Sequence, residues 1–218
     1  MAQGFSAEAA IARAINSARL GLGKTYPNPI VGAVITSATG ELISEGFHQG
    51  ADHAEVIAIN AAQAKTVGST LYVTLEPCNH HGKTPPCVDA IIKSGIRKVV
   101  YAVSDPNPAA AGGAERLRQA GIEVQSGIGE VQARLENRAW LTKVELGRPR
   151  ITWKIASTMD GKVAAIDGSS KWITGELART DVARMRSQVD ALVTSTATVA
   201  ADDPLMTSKG QAETPCES

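Results

Sequence analysis

The chain has little of what marks the specialised protein classes. It carries only 3 Cys in 218 residues, too few for a disulfide framework, so a reducing, cytoplasmic setting is expected. Its 22 Lys and Arg are balanced by 22 Asp and Glu, which leaves no basic field to draw in nucleic acid or a membrane surface. Aromatic residues make up 4%, leaving few rings on which bases could stack. No apolar run reaches bilayer-spanning length, and the N-terminus has no basic segment followed by an apolar core, so neither a membrane span nor a signal peptide is expected. Repeats and low-complexity tracts are missing too. What remains is an ordinary globular composition, 43% hydrophobic and 20% charged, on a chain long enough for one large or two small domains.

Two of the cysteines fall into a pattern; the third, Cys216, lies in a polar tail. His53-Ala54-Glu55 is followed by Pro77-Cys78 and then by Cys87. Imidazole and thiolate are donors that Zn²⁺ prefers, and three protein ligands leave one coordination position for water, the mark of a catalytic zinc. Zinc makes such a water nucleophilic near neutral pH. Glu55 does not share a helix face with His53, so it is not read as a ligand; at a helix start it leans over the water and moves its proton. The order H-x-E, then P-C, then C, with Glu as acid and base, is that of zinc nucleobase deaminases. The usual second half is P-C-x-x-C, whereas here Asn79 to Pro86 separate Cys78 from Cys87. Two other readings stay open. Cys78 and Cys87 are buried thiols and His53 a surface histidine; or His80 or His81 is a fourth ligand, which makes the zinc structural and leaves Glu55 idle. Lys83, in the same loop, has the charge to hold a phosphate or an oxyanion.

Around this pattern the hydrophobic periodicity predicts an α/β unit. A helix is expected over 6–20 with Ser6 as its N-cap. Thr25-Tyr26-Pro27-Asn28-Pro29 cannot be helical, since each proline drives its predecessor to extended geometry. Asn28 is thereby held before a strand, Ile30 to Thr36, where it reads a heterocycle's edge or bonds its own turn. A hairpin turn at Ala38-Thr39-Gly40 leads into a strand from Leu42 to Phe47, followed by His48. The next helix, His53 to Lys65, is expected to bury Val56, Ile57, Ile59, Asn60 and Ala64, with His53 and Glu55 at an N-terminus that favours anionic groups. Thr70 to Leu75 reads as a buried central strand, so Cys78 reaches the crevice at the carboxyl edge of the sheet. Cys87 opens a helix that ends at Gly95. Arg97 to Val103 is a strand that runs into the proline-fixed loop Asp105-Pro106-Asn107-Pro108. A helix from near Gly113, a short strand over Ile122 to Gln125 and a helix from Gly129 to Leu141 follow, the last with Val131, Leu135 and Trp140 on its apolar side.

Gly147-Arg148-Pro149 breaks the pattern and separates 1–147 from 148–218. In the second part, strands are expected over Ile151 to Ala156, Val163 to Ala164 and Ala191 to Thr194. A helix is expected from Glu176 to Ser187 with Thr174 as cap, and loops at Thr196 to Val199 and Asp202 to Pro204. These strands have too few partners to close a core, so this part reads as the start of a longer domain.

Tyr26-Pro-Asn-Pro-Ile-Val-Gly32, His53-Ala-Glu55, Thr74-Leu-Glu-Pro-Cys78, Gly82-Lys-Thr-Pro-Pro-Cys87 and Asp105-Pro-Asn-Pro108 resemble the deaminase half of the bifunctional riboflavin-biosynthesis deaminase–reductase family. The stretch Trp153 to Lys162, with Trp172-Ile-Thr174, Asp190-Ala191 and Ala197 to Pro204, resembles the opening of its reductase half. The resemblance runs over residues 8 to 209, and the spacing between Cys78 and Cys87 is this family's own. It implies a three-layer α/β/α cytidine-deaminase-like domain, followed by the N-terminal part of a dihydrofolate-reductase-like α/β domain.

The resemblance also implies the chemistry. The first domain would hydrolyse the 2-amino group of a diamino-ribosylamino-pyrimidinone phosphate with Zn²⁺ on His53, Cys78 and Cys87 and Glu55 as the proton carrier. Asn28, His48, His80, Lys83, Asp105 and Asn107 match substrate-pocket positions. In the reductase half, NADPH reduces the ribosyl group to ribityl. Ala156, Trp172, Thr198 and Asp202 would face NADP(H), and Ser170, Arg186, Met206 and Lys209 the sugar phosphate. The chain departs from the family in a shorter segment between His48 and His53, and in Lys209 where Arg is usual. Most of the reductase half has no counterpart here, so a chain that deaminates without reducing is expected. The expected partner is a small pyrimidine ribosyl phosphate, with no nucleic acid or membrane, and a homo-oligomer is compatible. Rival readings are a nucleic-acid base deaminase, a non-catalytic zinc module and a regulatory pseudo-enzyme.

Overall fold

The apolar, β-branched runs of the first 150 residues pair into one five-stranded sheet with the order β2-β1-β3-β4-β5. The strands are β1 (Gly32–Thr36), β2 (Leu42–Phe47), β3 (Thr70–Leu75), β4 (Lys98–Val103) and β5 (Glu123–Ser126). The computed structural model describes residues 4–82, 84–170 and 172–208. By its contacts it divides into two units, Met1–Arg150 and Ile151–Ser218. β1 is antiparallel to both β2 and β3, whereas β3, β4 and β5 run parallel. Parallel neighbours need crossover connections. The helix α3 (Cys87–Ser94) lies between β3 and β4 in the chain, and α4 (Gly113–Gln119) between β4 and β5.

Two glycines show how the sheet is covered. Gly32 pairs with Phe47, and Gly46 with Ala33, so the two glycines point to opposite faces. A Cβ on Gly32 would run into the Ala14 carbonyl of α1 (Ala7–Ala18), and one on Gly46 into the Ala54 carbonyl of α2 (Ala54–Ala62). Helices therefore press on both faces. The α1 side also carries α5 (Glu130–Glu136), and the α2 side carries α3 and α4. Strands sandwiched in this way are buried along their length, as β1, β3 and β4 are, while the edge strand β2 alternates. Ile11, Ile35, Leu71, Ile91 and Leu117 are fully buried in the core.

The Ser6 cap forms as expected, its hydroxyl accepting the Ala9 N–H at 3.2 Å. Three expectations need correction. First, α2 buries Ala54, Glu55, Ala58 and Ala62 rather than the stripe of Val56, Ile57, Ile59, Asn60 and Ala64. Close approach to Gly46 admits only small side chains on the inner face, and the larger apolar ones are pushed to its flanks. Second, the helix expected over 129–141 is two helices, α5 and α6 (Arg138–Leu146), hinged at Asn137 with φ −92° and ψ 12°. Val131 and Leu135 are exposed, and Ala133, Asn137 and Leu141 are buried instead.

Third, the strands expected over Ile151–Ala156, Val163–Ala164 and Ala191–Thr194 do not form in the second unit. A strand needs a continuous neighbour for its N–H and C=O groups, and among the described residues this unit shows only a single bridge residue, Ala191. It contains α7 (Glu176–Arg186), whose cap is Gly175 rather than Thr174, and α8 (Thr196–Asp202) where a loop was expected. Ser195 starts α8 by accepting the Thr198 N–H at 3.1 Å. Trp153 is 84% exposed and Leu177 87% exposed, so the apolar side chains of this unit lie uncovered. Among the described residues no helix is long and apolar enough to cross a membrane.

Candidate metal centre

Each donor of the cluster is placed by a local rule. His53 is the extended N-cap residue of α2, which puts Glu55 in the first turn. The buried run of β3 ends at Leu75, and Glu76-Pro77 carries the chain past the sheet edge to Cys78. Cys87 is the first residue of α3, behind Pro86. Its N–H has no partner within its own helix and points at Cys78 Sγ, 3.3 Å away. His53 Nδ1 lies 3.1 Å from Cys87 Sγ and 3.6 Å from Cys78 Sγ. All three donor atoms fall within 4.8 Å of one another.

The spacing can be tested against a metal. With Zn–N near 2.1 Å and Zn–S near 2.3 Å, a tetrahedral ion holds its N and S donors about 3.6 Å apart. The His53–Cys78 separation of 3.6 Å matches that size and the His53–Cys87 separation of 3.1 Å is shorter, while the donor set of one imidazole and two thiols fits Zn²⁺. Among the described residues neither His80 nor His81 belongs to the cluster, and His81 is exposed.

The cluster's groups shift one another's protonation. Hydrogen bonding from Cys87, then from His53, holds the Cys78 thiol well below its usual range. Its thiolate in turn pushes the Cys87 thiol upward, with burial adding to the effect. The hydrogen bond with Cys78 also raises His53 against the pull of its own burial. Glu55 is 4% exposed. Burial pushes its carboxyl up to about 7.

A cavity of about 330 Å³ opens over this cluster, lined by residues of the first unit. His53, Glu55 and Cys78 lie in its wall. Of the residues expected in the pocket, Asn28, His48, His80, Asp105 and Asn107 all line it. Lys83 lies outside the described residues. His48 is 5% exposed, and its Nε2 has no hydrogen-bond partner among the described residues. Burial first, and then the neighbouring His53 ring 5.3 Å away, lower its pKa. His80 likewise buries an unpartnered Nδ1. The Asn28 turn is closed by its backbone, whose N–H donates to Thr25 C=O at 2.8 Å. Asp105 Oδ1 accepts the Asn107 N–H at 2.9 Å, and burial raises the Asp105 pKa.

Of the cavity residues not singled out in the sequence as site residues, Glu76, Trp140, Lys143 and Val144 bear on its chemistry or its walls. Glu76 is 8% exposed, and its carboxylate accepts the N–H groups of Ala114 at 2.9 Å and Asp105 at 3.3 Å. It thereby ties the Asp105 loop and the start of α4 to the end of β3. Its position between the strand and Cys78 was the available signal. Trp140, Lys143 and Val144 line the cavity from one face of α6. Their i, i+3, i+4 spacing marks a shared face, but the direction of that face is set by the hinge at Asn137.

In the second unit the structure joins two pairs of the expected residues. Thr198 and Asp202 lie one turn apart on α8, and Arg186 donates to the carbonyls of Leu205 and Thr207 on either side of Met206, both at 3.4 Å. Trp172 lies under the Arg179 guanidinium at 4.6 Å. Ala156 is half-buried, Ser170 is exposed, and Lys209 and Cys216 fall outside the described residues.

Residues 6–103 match the model of the cytidine and deoxycytidylate deaminase zinc-binding region, and residues 149–217 match that of the RibD C-terminal domain. The chain is 50% identical over 190 residues to the riboflavin biosynthesis protein RibD of Mycobacterium tuberculosis, covering 86% of this chain and 56% of the relative. It is 48% identical over 200 residues to RibD of Escherichia coli, covering 90% of this chain and 54% of the relative. Among solved structures it resembles a diaminohydroxyphosphoribosylaminopyrimidine deaminase/5-amino-6-(5-phosphoribosylamino)uracil reductase from Thermotoga maritima. The TM-score is 0.86 at 47% identity, over 91% of this chain and 58% of that one. It also resembles RibD of Acinetobacter baumannii, with a TM-score of 0.87 at 44% identity, over 96% of this chain and 59% of that one. The chain thus spans a little over half the length of these relatives.

Proposed function

Because the chain belongs to the RibD family of riboflavin biosynthesis, matching it in both parts, we propose that its first unit is the pyrimidine deaminase of that pathway. The substrate is a diamino-ribosylamino-pyrimidinone phosphate, and the reaction replaces the amino group between the two ring nitrogens by a carbonyl with release of ammonia. One observation carries the reading: His53 Nδ1, Cys78 Sγ and Cys87 Sγ converge beside the buried carboxyl of Glu55, and His53, Cys78 and Glu55 lie in the wall of a cavity about 330 Å³ in volume.

His53, Cys78 and Cys87 would hold Zn²⁺, which supplies a Lewis acid that makes a water nucleophilic near neutral pH. The chain's own residues do the rest. Glu55 takes one proton of the attacking water and hands it to the ring nitrogen; it then takes the remaining hydroxyl proton and hands it to the amine, which departs as ammonia while the carbonyl forms. A carboxyl that burial lifts to about 7 can both accept and release a proton at neutral pH. His48 offers its unpartnered Nε2 to the pyrimidine, with Asn28, His80, Asp105 and Asn107 as further polar contacts. The family's second reaction, reduction of the ribosyl group with NADPH, would belong to the C-terminal domain whose model residues 149–217 match. The need for two reduced cysteines supports a cytoplasmic location.

The test is ammonia release from this substrate by the zinc-loaded chain, with Glu55→Gln as control. Release that stops in the control supports the reading, and no release from a folded, zinc-loaded chain overturns it.

A further inference from the structure

We infer that Lys143 reads the substrate's phosphate and so sets the preference of the cavity for a phosphate ester over the free nucleoside. The inference rests on the deaminase reading above and names a residue that the reading does not use. Among the described residues that line the cavity, Lys143 is the only Lys or Arg. The other formal charges of the wall are carboxylates: Glu55 beside the metal cluster, Glu76, and Asp105. Glu76 is spent on the N–H groups of Ala114 and Asp105, and Asp105 on that of Asn107. A dianion entering this space meets carboxylates near the metal cluster and, among the described lining residues, a single ammonium, that of Lys143 on α6.

The surroundings hold Lys143 in place for that task. Trp140 and Val144 flank it on the same face of α6 and close the wall with apolar surface. Asn137, at the start of α6, is 8% exposed and clamps the backbone of Ile30 in both directions. Its Nδ2 donates to Ile30 C=O at 2.8 Å, and its Oδ1 accepts the Ile30 N–H at 3.0 Å. The α6 wall is thus locked to the loop that carries Pro27, Asn28 and Pro29 on the cavity. The Lys143 ammonium rests 5.1 Å from the centre of the Tyr26 ring, itself 69% exposed. Such an exposed contact is weak and readily exchanged for a phosphate. Lys143 is exposed while Glu55 is buried, so the arrangement orients the ligand: the ring to be hydrolysed goes in and the phosphate stays at the opening.

The experiment is calorimetric binding of the deaminated product, as its phosphate ester and as its dephosphorylated nucleoside, to the zinc-loaded full chain, with Lys143→Met and Lys143→Arg. The wild type is expected to hold the ester about tenfold more tightly than the nucleoside, the size of one hydrogen-bonded charge contact. Lys143→Met removes that ratio and leaves nucleoside binding within about twofold, and Lys143→Arg keeps it. The assignment is overturned if Lys143→Met leaves the ratio intact, if it weakens both ligands equally, or if the wild type does not distinguish them. Ammonia release with the Glu55→Gln control judges the deaminase reading separately.

Discussion

Replacing Asn137 by Ala should loosen the cavity and the first unit together, by an amount that follows from two hydrogen bonds. Asn137 and Ile30 are 8% and 6% exposed, and the Asn137 amide serves both the N–H and the C=O of Ile30. Without the amide, both backbone groups stay buried and unpaired. Each unpaired buried group costs about 1–3 kcal/mol. Alanine recovers a few tenths of a kcal/mol, because it favours a continuous helix where Asn137 now makes a hinge. The net loss is about 2–5 kcal/mol, read as a lower urea midpoint at unchanged slope by far-UV circular dichroism of the zinc-loaded chain. The melting temperature should fall by roughly 5–15 °C. The same change frees α6 from the Pro27–Pro29 loop, so the KM for the pyrimidine substrate should rise more than kcat falls. A variant within about 0.5 kcal/mol of wild type, the range of ordinary surface substitutions, would refute the view that this clamp holds the wall.

Glu55→Gln should slow turnover by about 10²- to 10⁴-fold, the usual contribution of a general acid and base, at unchanged zinc content. Loss of the metal would instead make Glu55 a ligand. In the metal-free chain the raised Glu55 pKa means that folding loses stability as pH climbs from the unfolded carboxyl range through about 7, so the glutamine variant should be the more stable one above neutrality in urea titrations. Zinc affinity of the metal-free chain should rise with pH, because the Cys87 thiol, held protonated by Cys78, and the raised His53 must both give up protons to bind the ion. A dissociation constant that is flat between roughly pH 6 and 8 in a chelator competition would contradict this. The 218-residue chain should show no steady NADPH oxidation with the deaminated substrate, since its second unit leaves Trp153 and Leu177 more than four-fifths exposed and pairs no strand among its described residues; sustained oxidation at 340 nm, roughly the NADPH absorbance band, would show that it folds into a working reductase without further partners.

The sheet was legible because its signals are local. Thr70 to Leu75 and Leu42 to Phe47 form strands over the residues that their apolar content marks, and Gly95 stops α3 where its left-handed φ of 75° requires a residue without Cβ. Errors arose wherever a distant partner decides the outcome. The inner face of α2 is Ala54, Ala58 and Ala62 because Gly46 lets the helix approach closely, which hydropathy cannot register. Residues 151–156 have the composition of a strand, but composition supplies no neighbour to bond with.

The candidate site divides along the same line. His53, Glu55, Cys78 and Cys87 are set by a helix start, a strand end and another helix start, and each of these leaves a mark within a few residues. Asn28, Asp105 and Asn107 sit in loops that prolines fix, so their place at one sheet edge was readable as well. The α6 part of the wall was not. Trp140 and Lys143 reach the cavity only because Asn137 breaks a helix and bonds Ile30, a residue 107 positions earlier. A motif can encode a metal and a proton carrier, whereas a wall built from two remote segments has no motif. The reaction is therefore written in short stretches of this chain. The choice of what enters, if Lys143 governs it, is written in a contact that only the fold brings about.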